Sequence, residues 1–124
     1  MSTARDVMQA DAHRVEADDS VLHTAQLMRD ARLGLIPVCD KGRLVGVVTS
    51  TDIVTRCVAE GHDPQTTPAG QLAKTTQATV DAGDSLEKAL VVMAQYRVRR
   101  LPVIDGEALI GVLSQGDVTR SLVL

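Results

Sequence analysis

A chain of 124 residues with formal net charge −3 is the size of one ordinary domain, with room for one modest core or two small ones. Apolar residues make up 44% and charged residues 23%, which excludes extended disorder, and the slight acidity supplies no general attraction to nucleic acid or anionic membrane. The only aromatic residue is Tyr96, so the stacking platform of a single-strand nucleic-acid binder is missing and the core must be aliphatic.

In chain order, His13–Glu16 reads as a short strand. Asp19-Ser20 then forms a polar cap that opens a helix of about a dozen residues, because Ser and Asp side chains accept bonds from the first free amides. Val21, Leu22, Ala25, Leu27 and Met28 form its apolar side. Pro37 cannot lie inside a helix, so this helix stops before it. Two strands follow, Leu35–Cys39 and Arg43–Val48, joined by the hairpin composition Asp40-Lys41-Gly42. A last helix starts near Thr49–Asp52 and carries Ile53, Val54, Cys57 and Val58. Glu60–Pro68, rich in Gly, Pro and Thr, then joins one half of the chain to the other.

The second half repeats the first. Shifted by 65 residues the halves align without a gap: Asp84-Ser85 falls on Asp19-Ser20, Met93 on Met28, Pro102-Val103 on Pro37-Val38, Gly111-Val112 on Gly46-Val47 and Asp117 on Asp52. The same elements follow: a strand at Ala78–Asp81 and a helix with Leu86, Ala89, Leu90, Val92 and Met93 inward and Pro102 beyond its end. Strands Leu101–Ile104 and Ala108–Leu113 flank Asp105-Gly106-Glu107, and a closing helix begins near Ser114–Asp117 with Val118, Leu122 and Val123. The pattern is β-α-β-β-α, twice, giving a division into 1–60, a linker at 61–68 and 69–124. Neither half has much core alone, so the expectation is a mixed α+β fold whose two repeats pack sheet to sheet about a pseudo-twofold axis, creating two related clefts.

No apolar run approaches the roughly 18 residues that span a bilayer, and Met1–Asp6 lacks a signal-peptide stretch, so a cytoplasmic chain is expected. Cys39 and Cys57 sit in apolar runs without CxxC spacing and read as buried free thiols. His13, His23 and His62 lie far apart, lack metal-ligand spacing, and read as surface residues. No P-loop, Gly-x-Ser-x-Gly or Gly-x-Gly-x-x-Gly is present, and no nucleophile stands beside a base, so the chain does not read as an enzyme.

Ile36-Pro37-Val38, Leu44-Val45-Gly46-Val47-Val48-Thr49 and Asp52-Ile53 resemble the signature of a CBS repeat. Leu101-Pro102-Val103-Ile104-Asp105, Leu109-Ile110-Gly111-Val112-Leu113-Ser114 and Asp117-Val118 resemble it again, and Ala4-Arg5-Asp6-Val7-Met8 is similar to the entry segment before a first repeat. The resemblance covers nearly the whole chain and implies a tandem CBS pair, or Bateman module, like the stand-alone two-CBS proteins of bacteria. It implies a regulatory module that binds AMP, ADP, ATP or S-adenosylmethionine in the inter-repeat clefts, needs no other cofactor, forms a homodimer and controls a partner protein not yet known.

By that resemblance Asp52 and Asp117 accept hydrogen bonds from ribose hydroxyls, for which an acceptor-only carboxylate is suited. Thr49 and Ser114 stand at helix starts, where free amides also favour a phosphate. The same Thr/Ser-x-x-Asp spacing is a helix capping box, and the two roles can coexist. Arg99 and Arg100 precede Leu101-Pro102-Val103, where nucleotide-binding members carry basic phosphate contacts; strand alternation lets only one of them face a given cleft. Arg97 reads as a solvated basic residue. The matching positions of the first repeat, Gly34 and Leu35, are uncharged, so the clefts are expected to be unequal and a phosphorylated ligand to prefer the one reached by Arg99 or Arg100. Adenine is expected against Ile36 and Leu101. The competing function is a ligand-free dimerisation or interaction module in which both aspartates only cap helices.

Overall fold

The computed structural model describes residues Met1–Leu122, so Val123 lies outside the described residues. They form two compact units: one of His13–Thr76, the other of Met1–Ala12 with the chain from Gln77 onward. Each is a mixed α+β unit.

In the first unit β1 (Val15–Glu16) leads to α2 (Val21–Ala31), and the hairpin of β2 (Leu35–Asp40) and β3 (Arg43–Thr49) follows. β1 runs parallel to β2, and β2 antiparallel to β3. Helix α3 (Ser50–Asp52) continues as a π-helical stretch, Ile53–Val58, in which the Ala59 amide donates to the Val54 carbonyl five residues back. The second unit repeats the pattern with β4 (Val80–Asp81), α5 (Leu86–Tyr96), β5 (Arg100–Asp105), β6 (Ala108–Ser114) and α6 (Gln115–Leu122), the last an ordinary α-helix. Two short helices, α1 (Ala4–Val7) and α4 (Ala69–Leu72), precede the repeats and have no counterpart in the β-α-β-β-α expectation.

The predicted caps form. Ser20 and Ser85 side chains accept from the amides of His23 and Lys88 at 3.0 and 3.1 Å, satisfying donors that the first helical turn leaves free. Both hairpins close through two-residue loops. Lys41 and Gly42 both have positive φ, and in the other loop the first central residue, Gly106, does; such turns match the twist of the paired strands.

The helices end earlier than proline alone requires. α2 stops at Ala31 and α5 at Tyr96 because Arg32 and Arg97 turn left-handed, with φ of 56° and 57°. The amides of Arg32 and Leu33 both return to the Met28 carbonyl, and those of Arg97 and Val98 to Met93. Left-handed backbone costs an L-residue about 1–2 kcal/mol and favours Gly at a helix end. Arg32→Gly and Arg97→Gly are therefore each expected to stabilise the chain by about 0.5–1 kcal/mol, net of the freedom Gly adds to the unfolded chain, measurable in urea melts.

The cores are built from matching positions. Val15, Met28, Ile36, Val38, Val48 and Ile53 pack together in the first unit, and Val80, Met93, Leu101, Val103, Leu113 and Val118 in the second. The entry helices break the sequence order: Ala69 and Leu72 belong to the first unit's core, while Ala4 belongs to the second's. Backbone bonds fix the exchange, with the amides of Ala69 and Gly70 donating to Asp19 and Ala17, and those of Ala4 and Arg5 to Asp84 and Ala82. Packing thus divides the chain elsewhere than the sequence repeat does. The 61–68 segment is part of the first unit: the Thr67 and Pro64 carbonyls accept from the Val21 and Leu22 amides, occupying donors at the start of α2.

Candidate functional site

Each unit carries a Thr/Ser-x-x-Asp turn where its second hairpin strand enters a helix. In the first, the Thr49 hydroxyl accepts from the Asp52 amide at 3.1 Å, while Asp52 Oδ2 accepts from the Thr49 amide and hydroxyl, both at 2.9 Å. This is a complete capping box. The other oxygen, Oδ1, lies 3.2 Å from Lys74 Nζ. Asp52 is 5% exposed, whereas the Lys74 side chain is 60% exposed.

In the second unit Asp117 Oδ2 accepts from the Ser114 amide at 3.2 Å, and Ser114 Oγ accepts from the Asp117 amide at 3.0 Å. Asp117 Oδ1 takes the guanidinium of Arg120, three residues on along α6, and the Gln9 side chain also hydrogen-bonds to this carboxylate. Asp117 is as buried as Asp52.

Burial pushes both carboxyl pKa values up, but bonds from the preceding Thr or Ser and the nearby cation outweigh it, and both groups lie below the ordinary carboxylate value. A carboxyl whose folded pKa is depressed stabilises the fold above its unfolded pKa, near 3.9, and that contribution is lost as pH falls through the folded value. Asp52→Asn is therefore expected to be less stable than the parent at pH 7. The deficit should shrink in acid, at and below about pH 4, in urea melts of both proteins across that range.

The hairpin register places Arg100 directly opposite Ser114, and Leu35 opposite Thr49. Paired residues project on the same face, so Arg100 stands beside the second turn. Arg99 goes elsewhere: it is exposed, and with Arg97 it lines a hollow of about 410 Å3 floored by Leu90, Met93 and Ala94 and bounded by Gln115. Its carbonyl accepts from the Gln115 amide at 2.8 Å. Ile36 and Leu101 are fully buried in the two cores. The residues beside them, Pro37 and Val38, Pro102 and Val103, are buried too, so both faces of each strand are covered here.

Sequence reasoning did not single out Lys74, Gln9 or Arg120. Lys74 and Gln9 occupy matching positions of the repeat, each paired in isolated β-bridges with Val47 or Val112. The available signal was Gly46 and Gly111, since glycine inside a strand marks a close backbone approach. A Cβ on Gly46 would meet the Lys74 carbonyl oxygen at 2.4 Å, and one on Gly111 the Met8 sulfur at 2.6 Å and the Gln9 oxygen at 2.9 Å.

His13, His23 and His62 are exposed, and Cys39 and Cys57 are buried free thiols. Among the described residues no three His, Cys, Asp or Glu side chains gather closely enough to hold a metal ion, and no helix is long and apolar enough to cross a membrane.

The CBS domain model matches residues 4–59 and 69–124. Hypoxic response protein 1 of Mycobacterium tuberculosis is 41% identical over 123 residues, covering 98% of this chain and 86% of that protein. Among solved structures, Hypoxic Response Protein I with two coordinated zinc ions superposes with a TM-score of 0.86 at 40% identity, covering 98% of this chain and 100% of the other. CBSX2 in complex with AMP superposes with a TM-score of 0.79 at 28% identity, covering 96% and 94%.

Proposed function

This chain belongs to the CBS-domain family as a tandem pair, and we propose that it senses an adenine nucleotide (AMP, ADP or ATP) or S-adenosylmethionine at its two Thr/Ser-x-x-Asp turns and passes that occupancy to a partner protein. The observation that carries the reading is the state of each carboxylate. One oxygen is fixed by the cap, and the other carries a cation on an exposed, flexible side chain, with Gln9 as a further neutral donor to Asp117. Such an oxygen can exchange its cation for ribose hydroxyls without dismantling the helix start. The AMP complex of CBSX2 supports the ligand class. Arg100, paired with Ser114 across the hairpin, and Arg120 on Asp117 are the basic groups that would meet a phosphate at the second turn.

We extend the reading to a cytoplasmic, non-catalytic homodimer. The free thiols suit a reducing compartment. Val54 and Val58, each 59% exposed and one turn apart, offer an apolar contact for a second copy. The alternative is a ligand-free interaction module, favoured by the fact that every oxygen of both carboxylates already has a protein partner.

A thermal-shift panel with AMP, ADP, ATP and S-adenosylmethionine separates the two. A ligand at 100 times its Kd adds about 2.7 kcal/mol, raising the midpoint by several degrees. The expected result is a shift with at least one compound, reduced in Asp52→Ala or Asp117→Ala. No shift with any of them at millimolar concentration would leave the interaction module as the account.

A further inference from the structure

Lys74 reaches Asp52 through a device with several parts. Its amide and carbonyl exchange two bonds with Val47, both at 3.0 Å, inside the gap left by Gly46. Two residues earlier, the Leu72 carbonyl accepts from the Arg56 guanidinium at 2.6 Å. The backbone at Lys74 is thus pinned, while its side chain stays mostly exposed and its ammonium rests 3.2 Å from Asp52 Oδ1. The matching residue of the other unit, Gln9, is uncharged.

We propose that Lys74 determines the charge class of ligand accepted at the Thr49–Asp52 turn, selecting phosphorylated over neutral nucleosides. The inference rests on the ligand-sensing reading of that turn. A diol that takes Asp52 Oδ1 must displace the ammonium. A neutral nucleoside leaves the displaced cation with nothing in exchange for its ion pair. A mononucleotide brings a phosphate that the same ammonium, on its pinned backbone and flexible stem, turns to meet. Lys74 therefore competes with every ligand at Oδ1 and repays only anionic ones. It also supplies the first turn with the basic group that Gly34 and Leu35 lack, so phosphorylated ligands are not confined to the turn beside Arg100.

The test is calorimetric titration of AMP and adenosine into the parent chain, Lys74→Met, Lys74→Gln, Lys74→Arg and Asp52→Asn. Binding lost in Asp52→Asn is assigned to the first turn. The expected result at that turn is a preference for AMP over adenosine that falls about tenfold in Lys74→Met and Lys74→Gln, the loss of one charge-assisted hydrogen bond, and persists in Lys74→Arg. Adenosine itself should bind the Met and Gln variants as well as or better than the parent, because its competitor is gone. If both compounds bind at the first turn and their ratio is unchanged in Lys74→Met and Lys74→Gln, the inference fails while the ligand-sensing reading stands. If neither compound binds the parent at millimolar concentration, or Asp52→Asn leaves AMP binding intact, nucleotide sensing at this turn fails and the inference falls with it.

Discussion

Gly46→Ala is expected to destabilise the chain by about 3 kcal/mol and to lower the thermal midpoint by about 10 °C, far more than a single methyl group normally costs in a strand. The new Cβ would stand 2.4 Å from the Lys74 carbonyl oxygen and 2.7 Å from its carbon. Both are backbone atoms, so no side-chain rotation relieves the clash. The strand and the crossing segment must part, breaking the two Val47–Lys74 bonds and moving Lys74 away from Asp52. Gly111→Ala meets the flexible Met8 side chain first and the Gln9 oxygen at 2.9 Å, so about 1–2 kcal/mol is expected there. Urea melts give the energies, and amide exchange at Val47 and Lys74 reports whether the crossing has opened. A Gly46→Ala chain within about 0.5 kcal/mol of the parent would show that the crossing is not closed in solution.

Leu101→Ala and Ile36→Ala are each expected to cost about 3–4 kcal/mol, because both side chains are fully buried and their removal loses transfer energy and leaves a cavity. Leu101→Met, which nearly conserves volume, is expected to cost under about 1.5 kcal/mol. A residue that served an adenine ring instead would show the reverse pattern: weaker nucleotide binding with little change in stability. Denaturant melts of the three variants, beside titrations with AMP, distinguish the two roles. A loss below about 1 kcal/mol for Leu101→Ala would remove it from the core.

These expectations separate what local sequence encodes from what it cannot. The β-α-β-β-α order within each repeat, the serine caps and the hairpin turns depend on residues a few positions apart, and they are present as the sequence implies, with the short helices α1 and α4 added ahead of the repeats. The helix ends depend on local geometry without a sequence signature, since nothing in Arg32 or Arg97 announces a left-handed residue where Gly is usual. Ile36 and Leu101 are expected against adenine as aliphatic residues, but the same hydrophobicity serves a core and an adenine pocket, and the structure shows both side chains fully buried.

The sequence by itself determined a duplicated α+β unit and the two Thr/Ser-x-x-Asp turns, because periodicity, capping and turn chemistry act over a few residues, and its signature motifs carried the resemblance to CBS repeats. Only the tertiary structure decided that each unit takes the entry helix lying ahead of the other repeat, and that Arg100 and not Arg99 stands beside Ser114. It also decided that Lys74 and Gln9 meet the two aspartates. Those pairings join residues distant along the chain, and no local preference orders them. They follow from which backbone segment fits over Gly46 and Gly111, a question of close packing that arises only once the strands have formed.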